Sequence, residues 1–491
     1  MNRQIFKAVY LFWSLIIFSG TVFGQQMISD DSQTCIDCHI SVTPGIVKSW
    51  EKSRHSSTNL KEAMAKEEIY RRVSAKQLPA SVDAEIVIGC YECHSLNADK
   101  HKDNFEHFDY NINVVVSPED CKTCHPVEVD EFINSKKGYA HDNLMKNPVY
   151  LALVETVTGS MEFKSDMLSP THSSYNAKSE TCLACHGTTV EVKGMKTIES
   201  DLGEIELPVL TNWPNQGVGR INPDGSRGAC GSCHPRHSFS IEIARKPYTC
   251  GQCHLEPDLP AYNVYKESKH GNVFESKKEK WEWNTVPWIV GEDFETPTCA
   301  GCHNSLLIDS EENIVAERSH NFGSRLWVRI FGLIYSHPQP KEGKTYEIIN
   351  SDNLPLPVSF DGKLASEFLI TAEEQENRKE LMGSVCKSCH STSWIEAKFE
   401  KLDKTISEAD AMAAAATNLM AKAWENSFAD NSNPFDEYIE QLWIREWLFY
   451  ANSLRYGSAM FGPDYAAFKN GWWNLNKNLK QMHEFIKLKS K

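Results

Sequence analysis

Residues 228–254 read GACGSCHPRHSFSIEIARKPYTCGQCH. One five-residue pattern occurs twice in this stretch, as Cys230-Gly-Ser-Cys233-His234 and as Cys250-Gly-Gln-Cys253-His254. Two thiols three positions apart, with an imidazole directly after, form the attachment signal of a c-type haem. The thiols add across the two vinyl groups of one porphyrin, and the adjacent imidazole reaches the iron from the same side. Outward from this stretch the pattern recurs at Cys35/Cys38/His39, Cys90/Cys93/His94, Cys121/Cys124/His125, Cys182/Cys185/His186, Cys299/Cys302/His303 and Cys386/Cys389/His390. All sixteen cysteines are used.

Three other uses of cysteine fit less well. Zinc takes Cys-x-x-Cys pairs two at a time and needs no histidine after each pair. A thioredoxin-like redox pair occurs once, near a βαβ pattern. A disulfide framework belongs to short secreted chains and has no fixed triplet. The expected cofactors are therefore eight c-type haems with their iron. So much porphyrin makes haem a main constituent of the interior. The expected fold is mainly α: a multihaem cytochrome c with a loop-rich haem-binding region and a C-terminal bundle of long helices.

The chain opens on MNRQIFK, then the apolar run AVYLFWSLIIF, then SGTVFG. Basic start, short apolar run and small residues predict a secretory signal peptide over 1–24. The apolar run is short for a bilayer span, and no later stretch is long enough for one. The mature chain is expected to be exported, to a periplasm or an equivalent lumen, with no membrane span after cleavage. A formal net charge of −15 argues against nucleic acid as a partner.

Beyond the leader, residues 25–180 form an N-terminal region with three motifs. KEAMAKEEIYRRV in it reads as a helix, and NINVVVSPEDC as a short β-like run before a turn. Residues 181–362 form a central region with four motifs, punctuated by Gly and Pro as in WPNQGVGRINPDGSRG. Residues 363–491 hold the last motif among three long helical patterns nearly free of Gly and Pro.

Of eighteen histidines, eight follow cysteine pairs and ten are spare. Iron that only carries electrons commonly has a second axial histidine. By context His55, His141, His237, His270 and His320 are candidate distal ligands. His101 and His107 compete for one place, and the aromatics around His107 favour it. His172 is a further candidate, His337 is left open, and His483 in its Lys-rich tail reads as solvated.

The sequence resembles the octahaem hydroxylamine oxidoreductases across essentially the whole mature chain. The likeness rests on the motif order, the runs GVGRINPDGSRGACGSCHPRHSFS, CGQCHLEPDLPAYNVYKESKHG and RLWVRIFGLIYSHPQP, and the C-terminal helices. The second half also looks like the pentahaem cytochrome c nitrite reductases. The resemblance implies seven bis-His haems that conduct electrons and one five-coordinate catalytic haem, on Cys182, Cys185 and His186. It implies a homotrimer or larger assembly, a redox partner cytochrome, and a small nitrogen compound as substrate: hydroxylamine, nitrite or nitric oxide. Oxidative members bond a tyrosine of the neighbouring subunit to the catalytic porphyrin. Tyr465 is the first candidate for that role and Tyr456 the second.

Where the family typically reads GPDHPQ after the sixth motif, this chain reads EPDLPA. Asp258 and Tyr335 match distal-pocket residues, but Leu259 stands in place of a histidine. Either an imidazole proton relay is lost, or the change lies beside the pocket rather than in it. Three functions remain open at this stage. They are a hydroxylamine oxidoreductase-like enzyme, a nitrite or nitric oxide reductase without the Tyr–porphyrin bond, and a non-catalytic electron-transfer subunit.

Overall fold

The computed structural model describes residues 27–200 and 203–491, so the expected leader over 1–24 lies outside the described residues. Short helices and loops run from residue 30 to about 370, and long helices follow. Strands occur mainly as antiparallel hairpins: Asn104–His107 with Tyr110–Asn113, Ser160–Lys164 with Met167–Thr171, and Glu191–Ser200 with Gly203–Thr211. A small three-stranded piece joins Trp288–Ile289, Leu307–Ile308 and Ile314–Ala316. No helix among the described residues is long and apolar enough to cross a membrane.

The cysteine motifs explain many of the short helices. In four of them the histidine N–H donates to the first cysteine's carbonyl, at 2.9 Å for His125, His234 and His390 and 3.0 Å for His254. Positions i, i+3 and i+4 of one helical turn share a face. Both thiols and the imidazole are thereby aimed to one side. Such single turns are too short to be stable alone, and must be held by what packs against them.

The C-terminal helices are built differently. Thr392–Glu425 runs 34 residues with no Gly or Pro. Ser391 caps it, accepting from the Trp394 N–H, a contact typically worth about 1 kcal/mol. Its buried side chains recur every three or four residues, from Ile395 and Leu402 through Ala409, Ala413 and Ala416 to Met420 and Ala423. The alanines let neighbouring helices approach closely. Against it pack Tyr438–Met460, a continuous helical run with a π-helical middle at Arg445–Ala451, and Trp472–Lys489. Trp443, Trp447, Phe435 and Met482 fill the space between.

Two local expectations need correction. KEAMAKEEIYRRV is not one helix: Leu60–Met64 is helical, a single 3₁₀ turn follows at Glu68–Tyr70, and Arg71 is extended. Leu60, Ala63 and Met64 make one apolar turn, but the next positions on that face are Glu67, Glu68 and Arg71, with nothing to bury. The hairpins at 160–171 and 191–211 were not anticipated. In the first, Ser165 and Asp166 both adopt positive φ (51° and 62°), the twist that two-residue hairpin turns require.

Candidate functional site

A cavity of 2650 Å³ runs through the molecule, lined by residues from Arg54 and His55 in the N-terminal region to Trp472 in the C-terminal one. Residues of seven of the eight motifs line it, all except the one at Cys35. No two cysteines are joined in a disulfide. Among the described residues no three His, Cys, Asp or Glu side chains converge as a metal-ion site, so the zinc reading of the cysteines has no geometry behind it.

The first motif departs from the expectation of haem enclosed in the interior. Cys38 is exposed, and with Cys35 and His39 it lies outside the cavity lining. Its helix, Asp30–Val42, packs mainly against Pro44–Glu51 and Cys90–His94, so few segments close over that face. A haem on Cys35 and Cys38 would sit at the molecular surface, between this helix and the hairpin that carries His107. Cys253 and Cys389 are exposed as well, but both stay within the lining of the cavity.

The histidines fit porphyrin iron. A metal bonded to two imidazoles at about 2 Å each, plus half of each ring, sets the ring centres about 6 Å apart. His39 and His107 stand 6.1 Å apart, His55 and His125 6.3 Å, and His270 and His390 6.2 Å. His237 neighbours His94 electrostatically, and His320 neighbours His234. His94 Nδ1–H donates to the Asn113 carbonyl at 2.7 Å and His186 Nδ1–H to the Ala140 carbonyl at 3.1 Å, which leaves each Nε2 free. Burial drives imidazoles toward the neutral form that binds metal. His55, His234, His237 and His303 are pushed down to about 4, and His254 to about 3.

The motifs also approach one another. Thiols of Cys121 and Cys230 are in hydrogen-bond contact, as are those of Cys185 and Cys253, and of Cys250 and Cys299. Cys35 neighbours Cys90, Cys93 neighbours Cys124, Cys233 neighbours Cys250, and Cys302 neighbours Cys386. The motifs thus run first, second, third, fifth, sixth, seventh, eighth in space. The fourth, at Cys182, branches from the sixth.

Around the fourth motif the cavity is lined by Asp258, Leu259, Arg329 and Tyr456. Leu259, next in sequence to Asp258, is also in the lining of the cavity. Burial raises the Asp258 carboxyl above its ordinary range, and its charge is felt at Cys182, Cys185 and Tyr456. Arg329 lies in the field of His186, Tyr150 and Tyr456. Arg329 lies inside the run RLWVRIFGLIYSHPQP. Nothing in linear spacing marks it apart from other arginines.

Several expected residues lie elsewhere. Tyr335 does not line the cavity. It is buried in the helical core, where its hydroxyl donates to the Phe360 carbonyl at 2.9 Å. Tyr465 is 1% exposed, donates to Glu256 Oε2 at 2.9 Å and accepts from Lys469 at 2.7 Å. Tyr465 is thus held by side chains of its own chain, and Tyr456 lines the cavity. His141 lies outside the cavity lining, with Nδ1 beside Asp142 at 3.3 Å. His172 is exposed at the base of the 160–171 hairpin, and His483 is exposed on the last helix. His337 is buried outside the lining with Nδ1–H donating to the Pro338 carbonyl. His101 is enclosed by Asp103, Asp120 and Asp224. Burial would lower it, but the carboxylates outweigh that and hold it up at about 10, so it serves as a buried cation.

The repeated thiol–thiol–imidazole turns, the imidazole pairs and the shared cavity define a multihaem c-type cytochrome. Two family models agree: multi-haem cytochrome CxxCH over residues 221–324, and cytochrome c554 and c-prime over 33–115. A solved structure described as a hypothetical multiheme protein is 42% identical, with a TM-score of 0.89 over 95% of this chain and 97% of that one. A probable nitrite reductase-hydroxylamine oxidoreductase fusion protein of Kuenenia stuttgartiensis is 24% identical over 392 residues. That match takes in 76% of this chain, which spans only 36% of that relative's length. A reducing HAO-like protein complex of the same organism shares the fold, with a TM-score of 0.60 at 19% identity over 94% of this chain and 85% of that one. The chain belongs to the multihaem c-type cytochromes.

Proposed function

We propose that the protein is an eight-haem cytochrome with one open iron, on the haem of Cys182, Cys185 and His186, that reduces a small nitrogen compound, nitrite or nitric oxide. The observation that carries the reductive reading is Tyr465 locked between Glu256 and Lys469. With Tyr456 also lining its own chain's cavity, both candidates have surroundings within the chain, which supports a porphyrin without the tyrosine bond implied for oxidative relatives. When bound, the haem supplies an iron that takes the nitrogen atom of the substrate and passes electrons to it.

The chain's residues then have separable roles. The Arg329 guanidinium attracts and orients an anion such as nitrite, a role to which its fixed fork of donors is suited. Asp258, whose carboxyl burial raises above its ordinary range, delivers a proton to the departing oxygen. Leu259 keeps water from the wall of the pocket. Ala140 holds the His186 ring in the tautomer that frees Nε2. The branch from Cys185 to Cys253 is the route by which electrons arrive, along the row of the other haems. The exposed side chains of Phe468, Trp473 and Leu488 support assembly into a homotrimer or larger complex. A redox partner cytochrome and export of the mature chain complete the reading.

Carbon monoxide titration of the reduced, haem-loaded protein tests it, together with nitrite consumption driven by an artificial donor. One haem in eight is expected to bind the gas, with an unmodified porphyrin spectrum, and His186→Ala is expected to abolish turnover while the other haem spectra persist. A chain whose irons are all inert to carbon monoxide and nitrite is an electron-transfer subunit, and the enzyme reading falls. A porphyrin band typical of a tyrosine bond restores the oxidative reading.

A further inference from the structure

One structural device occurs three times in the chain. Trp50-x-x-Ser53-x-His55, Phe132-x-x-Ser135-x-Lys137 and Tyr265-x-x-Ser268-x-His270 share an aromatic, a serine and a candidate ligand at equal spacing. The second and third continue alike, as Ser135-Lys-Lys-Gly138 and Ser268-Lys-His-Gly271. All three aromatics and all three serines are buried. Each serine hydroxyl accepts the N–H three residues on: Ser56 at 3.1 Å, Gly138 at 3.4 Å and Gly271 at 3.1 Å. Ser135 and Ser268 also donate back to the carbonyls of Phe132 and Tyr265, at 2.7 and 2.6 Å. A Cβ on Gly138 or Gly271 would lie 2.6 or 2.0 Å from those same carbonyl oxygens, so both chains turn in the same tight way.

The device presents its last residue to the histidine of a cysteine motif. His55 faces His125 and His270 faces His390. In the second copy the presented residue is Lys137, whose Nζ lies 3.3 Å from His254 Nε2 inside the cavity. His141, four residues on, lies outside that lining. We propose that Lys137 is the sixth ligand of the iron carried by Cys250, Cys253 and His254, which makes this haem imidazole–amine rather than bis-imidazole.

The chemistry is simple. Two nitrogens bound to one metal from opposite sides stand about 4 Å apart. The further opening of about 0.7 Å over the observed separation is within reach of the flexible four-carbon stem. Once His254 Nε2 gives its lone pair to iron, it can no longer accept a hydrogen bond from Lys137. The ammonium then releases one proton to solvent and its nitrogen lone pair takes the sixth position. No electron moves in that step. Because Cys253 touches Cys185, the amine-ligated haem is the next stop from the fourth motif.

The proposal rests on haem attachment at this motif, so peptide mass analysis must first find porphyrin on Cys250 and Cys253. Absence of porphyrin there sinks the haem reading and the proposal together. With haem present, the oxidised full-length protein is examined by near-infrared magnetic circular dichroism, in which imidazole–amine and bis-imidazole haems give bands of different energy. An imidazole–amine band is expected in the native protein. Lys137→His is expected to convert it to bis-imidazole with haem content unchanged, and Lys137→Ala to roughly double the carbon monoxide bound per chain. A native spectrum without that band overturns the proposal even if the variants fail to fold. So does a band that survives Lys137→Ala, or an open site created by His141→Ala instead.

Discussion

At the scale of single residues, the pocket near His186 is defined as much by a missing group as by those present. Leu259 lines the cavity next to Asp258 and offers no proton-carrying atom. On the proposed reading Asp258 carries the proton transfer, and the upward shift that burial gives its carboxyl suits it to that task. Asp258→Asn is expected to lower the rate of nitrite reduction by about 10²–10⁴-fold, the usual worth of general acid catalysis, with nitrite affinity little changed. Native turnover should fall as pH rises through the Asp258 pKa, and the Asn variant should lose that limb. Leu259→His is expected to raise the rate of nitrite reduction by supplying a second relay. Steady-state rates over a pH series check both variants, and an unchanged rate in Leu259→His would make the imidazole dispensable.

At the scale of elements, the C-terminal helical run carries a buried acid that is visible in stability rather than catalysis. Glu446, in the π-helical segment, is fully buried and accepts from Asn478 Nδ2 at 2.7 Å. Burial raises its carboxyl to about 8, the single hydrogen bond opposing only in part. An unfolded glutamate titrates near about 4.3. Between these values the folded chain keeps a proton that the unfolded chain has lost. The stability from the neutral buried acid is complete below about pH 4.3 and is lost as pH rises toward about 8. Tm should therefore fall from pH 5 to pH 8, and Glu446→Gln, which has no proton to lose, should flatten that slope. A calorimetric pH series of both proteins decides it, and equal slopes would place the titrating group elsewhere.

At the scale of the whole molecule, the haem-binding half has small apolar clusters, around Trp281–Trp288 and around Leu60, beside a large open interior. Its interior is a 2650 Å³ cavity rimmed by one-turn helices that cannot hold themselves. Bound porphyrins would fill that interior, so haem attachment is expected to couple to folding. A chain produced without the haem-attachment machinery is expected to be protease-sensitive between residues 30 and 370. The segment from Thr392 onward, which has its own apolar core around Trp443 and Met420, should resist longer. Limited proteolysis with mass mapping distinguishes this from uniform resistance, which would mean that the cavity walls stand without haem.

What was legible in the sequence was whatever covalent chemistry and local periodicity dictate. The eight Cys-x-x-Cys-His turns determined the cofactor class, because two thiols and an imidazole within one helical turn must share a face. The three- and four-residue spacing of apolar positions likewise determined the long C-terminal helices. What only the tertiary structure decided were the relations between turns remote in sequence. Cys38 was left at the surface while the other motifs met around one cavity. Tyr335 moved from pocket to core, Tyr465 was claimed by Glu256, and Arg329 entered the cavity. Lys137 rather than His141 was set against His254. These follow from how some 2650 Å³ of interior is enclosed by segments hundreds of residues apart, and no spacing along the chain encodes which side chains of distant loops meet across it.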